Sequence, residues 1–245
     1  MGYDLFFFVP FVKPDRVYYA ALTLGLPLEF LALYCYMKAI KVSPLSLTLP
    51  LLTFTPALII LTGWILLGEQ LTSSGTLGIV LIVIGSYCLN LTQIRVGFLA
   101  PLRAVIQDPG SRLMLLVSCI YSVTAVIGKI GILHSNPYFF AVTYFTALTV
   151  LMLSLMPLMP EVRIRCFFKT PLKGVILGAT HATMILSHTL AISQVQAAYM
   201  MSLKRTSVLI GILYGAWWFK EEDIGERLFG TAIMVAGAFC IGWFS

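Results

Sequence analysis

Apolar residues fall along this chain in eight long runs, approximately 18–40, 44–67, 75–92, 113–133, 137–159, 172–193, 196–219 and 228–244. At 1.5 Å per residue, a helix of about 20 residues crosses a hydrocarbon core of about 30 Å, and each run meets that length. None alternates with period two, so membrane-spanning helices are predicted and barrel strands are excluded. The punctuation agrees: Pro14 and Asp15 precede the first run, Ser43-Pro44 opens the second and Gly68-Glu69-Gln70 ends it. Asn136-Pro137 opens the fifth, and Lys220-Glu221-Glu222-Asp223 separates the last two. Residues 5–12 are apolar but too few to span, and read as the stump of an earlier helix.

The polar connections are short, the longest being about 93–112 and 160–171, so chemistry must sit among the helices or at their ends. The expected fold class is all-α, a polytopic membrane helix bundle of about eight transmembrane helices. Composition points the same way, since 59% of the residues are hydrophobic and 11% charged, more apolar surface than a soluble fold can hide. The net charge of +6 resides mostly between the runs, where it orients helices, and no nucleic-acid partner is expected. Five scattered cysteines show no metal-ligand or disulfide spacing, and no cofactor is implied. No GxSxG, HExxH or phosphate-binding motif occurs, so an enzyme is not expected.

Sliding the chain by 152 residues superposes Ala39-Ile40 on Ala191-Ile192, Gly63 on Gly215, Glu69 on Glu221, Gly78 on Gly230 and Gly85 on Gly237. Recurrence of glycines and a glutamate at one offset argues for duplication. The copies begin five helices apart, and because each crossing reverses direction, an inverted repeat is predicted. The N-terminal unit is then 1–92, with helices 18–40, 44–67 and 75–92; 93–112 is a connecting loop; and 113–245 is the C-terminal unit with the remaining five helices. On this reading the first unit lacks its first helix and most of its second.

Polar residues inside the runs are the candidates for chemistry. Glu29 lies near the middle of the first run, where a carboxylate costs about 2.5–3.5 kcal/mol, and the 152-residue offset places His181 at the equivalent depth. Together they suggest a solute or proton site, His181 being able to change charge near neutral pH; hydrogen bonds between helices are the alternative. His188 shares a stripe with His181 and Met184, but no third ligand makes a metal site of it. Lys204 and Arg205 sit about eight residues into the seventh run, too deep for easy snorkelling. Adjacent positions differ by about 100°, and Lys204, in line with Gln196 and Met200, is expected to face the cavity while Arg205 pairs elsewhere. A structural ion pair, such as Lys204 with Glu29, is the alternative. Tyr199 completes the candidate solute path. Glu69 and Glu221 end helices, in a structural or gating role.

These residues together resemble the EamA group of the drug/metabolite transporter superfamily. The first half carries Lys38-Ala39-Ile40-Lys41-Val42-Ser43-Pro44-Leu45-Ser46, Thr55-Pro56 and Leu67-Gly68-Glu69; the second carries Gln194 to Tyr199, Lys204-Arg205-Thr206-Ser207 and Phe219-Lys220-Glu221. The resemblance implies ten helices in two inverted units of five, and transport of metabolites, amino acids or drugs across the cytoplasmic membrane. It also implies a cytoplasmic C-terminus. Lys and Arg count the other way, eleven near one side against three near the other, which would put the C-terminus outside, so the orientation stays open.

The function expected is that of a secondary transporter, importer or exporter, working by alternating access, with Glu29 or His181 as a proton carrier. Its partners would be a small solute, protons and the lipid bilayer, as a monomer or homodimer. The alternative is a non-transporting membrane scaffold or subunit, or a transporter fragment needing a partner.

Overall fold

The computed structural model describes residues 13–67, 73–89, 100–155, 171–194, 197–220 and 224–244. Among them there is no strand. In chain order the elements are α1 (Arg16–Val42), α2 (Leu45–Thr48), a 3-10 helix (Leu49–Thr53), α3 (Phe54–Leu67) and α4 (Ser73–Cys88). There follow α5 (Ala100–Gln107), α6 (Pro109–Leu133), α7 (Pro137–Leu155), α8 (Pro171–Gln194), α9 (Ala197–Lys204), α10 (Thr206–Phe219) and α11 (Ile224–Phe244). Among the described residues six stretches are long and apolar enough to cross a membrane: Arg16–Val42, Leu45–Ile65, Pro109–Leu133, Pro137–Leu155, Pro171–Gln194 and Ile224–Ile241. Of the other two runs, one holds α4, a helix of 16 residues. The other is divided into α9 and α10 at Arg205. The chain is a multi-pass helical membrane protein.

Local chemistry explains where the helices start and stop. Asp15 accepts the Tyr18 amide at 2.9 Å and so caps α1. Asp108 caps α6 in the same way, accepting the Ser111 amide at 2.7 Å, with Pro109 at the first helical position where no amide is needed. Asn136 accepts the Tyr138 amide at 2.9 Å at the start of α7. Lys220 stops α10 in a left-handed conformation, φ 52°, from which its amide bonds back to the Gly215 carbonyl. The connection after α4 contains α5, which a loop reading of 93–112 did not anticipate. Leu102, Val105 and Ile106 recur there at helical spacing with Pro101 in the first turn, and Val105 is buried.

Contacts group the chain into two compact units, one bounded by Met1–Phe30 and Ile127–Val195, the other by Leu31–Val126 and Gln196–Ser245. Each draws helices from both copies of the sequence repeat.

In the first unit, α7 packs on α8. Phe140 of α7 reaches over Gly131 of α6, where a Cβ would stand 2.5 Å from its ring, and stacks on Tyr144 at 5.0 Å. Tyr18 of α1 is hydrogen-bonded to Thr143 through their hydroxyls, and His134 Nδ1 meets Asp15 Oδ2 at 2.7 Å.

In the second unit, the helix pair with the most extensive packing is α4 with α11. Gly78 faces Gly237 and Gly85 faces Gly230, so the two helices run antiparallel with their backbones in contact. Elsewhere α3 packs on α9, and α10 packs on α2 and the 3-10 helix, with Gly211 seated against Leu49. The end of α1 is tied to the start of α6 by the Ser43 hydroxyl, which donates to Asp108 Oδ1 at 2.6 Å and accepts the Gly110 amide at 3.2 Å.

Candidate functional site: two interrupted helices and a buried arginine

The sequence offset reappears in the backbone. The segment α2, 3-10 helix and α3 begins at Leu45, resumes as α-helix at Phe54 and ends at Leu67; α9 and α10 begin at Ala197, resume at Thr206 and end at Phe219. All three pairs differ by 152. The first interruption has a local cause: Pro50 supplies no amide, the backbone tightens into a 3-10 helix, and the Thr53 hydroxyl caps the Pro50 carbonyl at 2.6 Å. The second has no proline and is slighter: Arg205 keeps a right-handed helical backbone, φ −68° and ψ −16°, and its amide still bonds to the Met201 carbonyl at 3.2 Å while shared with that of Ser202 at 3.1 Å, a local tightening of the turn. Its position matches the first through the repeat, with Arg205 standing where Thr53 stands in the other copy. Since α9 packs on α3 while α10 packs on α2, the two segments cross antiparallel with their interruptions near the crossing.

That region of the second unit is polar. Ser46, Thr48, Thr53, Thr55, Ser118 and Ser202 are all buried there or on the helices packed around it. Thr48, Thr53 and Ser118 return their hydroxyls to nearby carbonyls, Ser118 to that of Leu51 at 2.8 Å. The Thr55 hydroxyl and Arg205 Nε have no hydrogen-bond partner among the described residues. Arg205 is 5% exposed. The groups acting electrostatically on it are the phenols of Tyr36 on α1 and Tyr121 on α6, with no carboxylate among them. A second arginine of this unit, the half-buried Arg227 in the first turn of α11, also has an Nε without a hydrogen-bond partner among the described residues, while its Nη1 donates to Ser46 Oγ at 2.5 Å.

The expected site residues distribute as follows. Glu29, His181 and His188 belong to the first unit; Lys204 and Arg205 belong to the second. Glu29 is half-buried and acts electrostatically on Tyr144, whose hydroxyl packs over Gly25 one turn away on the same face of α1. His181 is exposed on the N-terminal half of α8, and His188 is half-buried and engaged in an interaction. Lys204 is half-buried and engaged as well, so of the two adjacent cations Arg205 is the one fully enclosed. Tyr199 lies on α9, while Gln196, Glu69 and Glu221 fall outside the described residues.

Residue-by-residue reading passed over Tyr36, Tyr121 and Tyr144. For Tyr36 a signal was available: the 152-residue offset places it opposite His188, as it places Glu29 opposite His181. Each pair is spaced by seven residues, two turns along one helix face.

Outside the membrane-spanning segments, the Tyr18 amide and His134 hold the Asp15 carboxyl below its ordinary range.

The apolar helices, with ionisable groups among them, define the class of multi-pass helical membrane proteins. Residues 4–91 match the model of the EamA-like transporter family, in line with the resemblance that the repeated motifs carry. The family is one of membrane transporters of small solutes. No curated protein matches the chain.

Proposed function

We propose that this protein is a secondary transporter of the cytoplasmic membrane, moving small metabolites, amino acids or drug-like solutes by alternating access with proton coupling. The observation that carries the reading is the matched pair of interruptions, Leu49–Thr53 and Arg205, on segments that cross antiparallel. Tightened turns within membrane helices, a 3-10 stretch in one copy and a single turn at Arg205 in the other, are places where a helix can bend around a cavity. The reciprocal glycine pairs of α4 and α11 support two copies of opposite orientation. Gly78 corresponds to Gly230 and Gly85 to Gly237, so the observed pairs exchange under a local two-fold axis.

In this reading Arg205 and Lys204 serve solute binding and Tyr199 and Gln196 extend the path. Glu29, beside Tyr144, or His181 carries protons, and His188 lines the path. Purified protein is screened for solutes that raise its unfolding temperature, because a ligand bound only by the folded state stabilises it. Those solutes are then presented to proteoliposomes. Saturable uptake above that of protein-free vesicles supports the proposal; uptake no faster than in protein-free vesicles removes it.

A further inference from the structure

We propose that Arg205 is the recognition residue for a carboxylate on the transported solute, an inference that deepens the transporter reading and rests on it.

Three observations lead there. A guanidinium cannot shed its charge in a protein, so burying it without a counter-charge is costly. Arg205 is 5% exposed and its Nε has no partner among the described residues; Arg227 Nε shares that lack, but Arg227 is only half-buried and its Nη1 donates to Ser46 Oγ. An enclosed donor held without a partner is costly as packing alone, but it suits a site completed by a ligand.

Its placement supplies the second argument. Arg205 occupies the one-residue interruption between α9 and α10, in the segment whose counterpart is interrupted by the 3-10 helix. The Thr55 hydroxyl, at the start of α3, likewise lacks a partner among the described residues. Tyr36 and Tyr121, within electrostatic reach of the guanidinium, add two phenols able to donate hydrogen bonds to an anion.

Charge balance selects the ligand. Among the described residues no carboxylate acts on Arg205, so its guanidinium offers one positive charge without a counter-charge from them. A singly charged, planar carboxylate matches one guanidinium, bidentate and coplanar; a doubly charged phosphate would leave excess negative charge in a poorly solvated site. A monocarboxylate or an amino acid presents the right group.

The test measures the unfolding temperature of the purified full-length protein with benzoate, acetate or glycine, against benzamide, acetamide and inorganic phosphate at matched ionic strength. The expected result is a concentration-dependent rise with at least one carboxylate, absent with its amide and weaker with phosphate. Arg205→Lys is expected to weaken the apparent affinity by about ten- to a hundredfold, the range for hydrogen bonds to a charged group, and Arg205→Gln to abolish it. Equal stabilisation by carboxylate and amide in the wild-type protein would overturn the assignment, even if neither variant folded. So would an unchanged affinity in Arg205→Lys, or the lack of a rise with any of the three carboxylates. The transporter reading fails separately. Uptake of a neutral solute with no carboxylate response would leave transport standing without this site, whereas Arg205-dependent binding without uptake of any stabilising solute would leave the site without transport.

Discussion

Gly78 and Gly237 meet across the α4–α11 crossing so closely that a Cβ on Gly78 would stand 2.5 Å from the Gly237 carbonyl oxygen, and one on Gly237 would stand 2.7 Å from that of Gly78. Gly85 and Gly230 repeat the arrangement at 2.6 and 2.7 Å. Side chains of Ile241 and Met234 crowd Gly78 and Gly85 as well, but each of the four positions also meets a backbone carbonyl, which cannot rotate away as a flexible side chain can. Gly78→Ala and Gly237→Ala are each expected to cost about 1–3 kcal/mol, with valine costing more. Thermal unfolding of purified variants checks this. The control is Gly178→Ala on α8, where a Cβ meets nothing within 4 Å and no loss is expected.

Asp108 joins two jobs in one carboxylate, capping α6 through the Ser111 amide and holding Ser43 at the end of α1. Asp108→Ala is expected to lower stability by about 1–2 kcal/mol. Asp108→Asn should lose less, because asparagine also caps. Equal losses in both variants would show that the negative charge, rather than the hydrogen bonds, is what α6 requires.

Asp15 gives a pH dependence whose sign follows from its lowered carboxyl pKa. A carboxyl depressed in the folded protein adds stability that is present above its unfolded value, about 3.9, and is lost as pH falls through the folded value. The unfolding temperature of the wild-type protein should therefore drop below about pH 4 more than that of Asp15→Asn, with the two curves running parallel at higher pH. A constant difference throughout would mean that Asp15 acts by packing alone.

Glu29→Gln tests proton coupling in the transporter reading. The variant cannot release a proton, so it is expected to lose accumulation driven by a pH gradient while keeping exchange of solute across the membrane. His181→Ala is the companion. Gradient-driven accumulation at the wild-type level in both would remove these two residues as proton carriers.

The helices were legible because lipid demands long apolar runs: 113–133 became Pro109–Leu133 and 172–193 became Pro171–Gln194, with Asp108 and Pro109 supplying the start of the former. The interruption after Pro50 was foreshadowed by its missing amide. The interruption at Arg205 had no such marker and could be found only by carrying the first across the 152-residue offset. Which cation is enclosed was harder still to read. When every face of a helix is apolar, periodicity does not distinguish lipid from protein, and the alignment of Lys204 with Gln196 and Met200 carried no information on how deeply Arg205 is buried. Tyr36 and Tyr121 reach Arg205 from α1 and α6, a proximity set by tertiary packing and invisible in local sequence.

The account rests on carrier-type transport, and its most direct measurement is counterflow. Proteoliposomes are preloaded with a solute that stabilises the protein and diluted into a trace of the same labelled solute. Alternating access predicts transient accumulation of label inside, faster than in vesicles without internal solute. Entry at the rate of protein-free vesicles, for each solute that stabilises the protein, would contradict it.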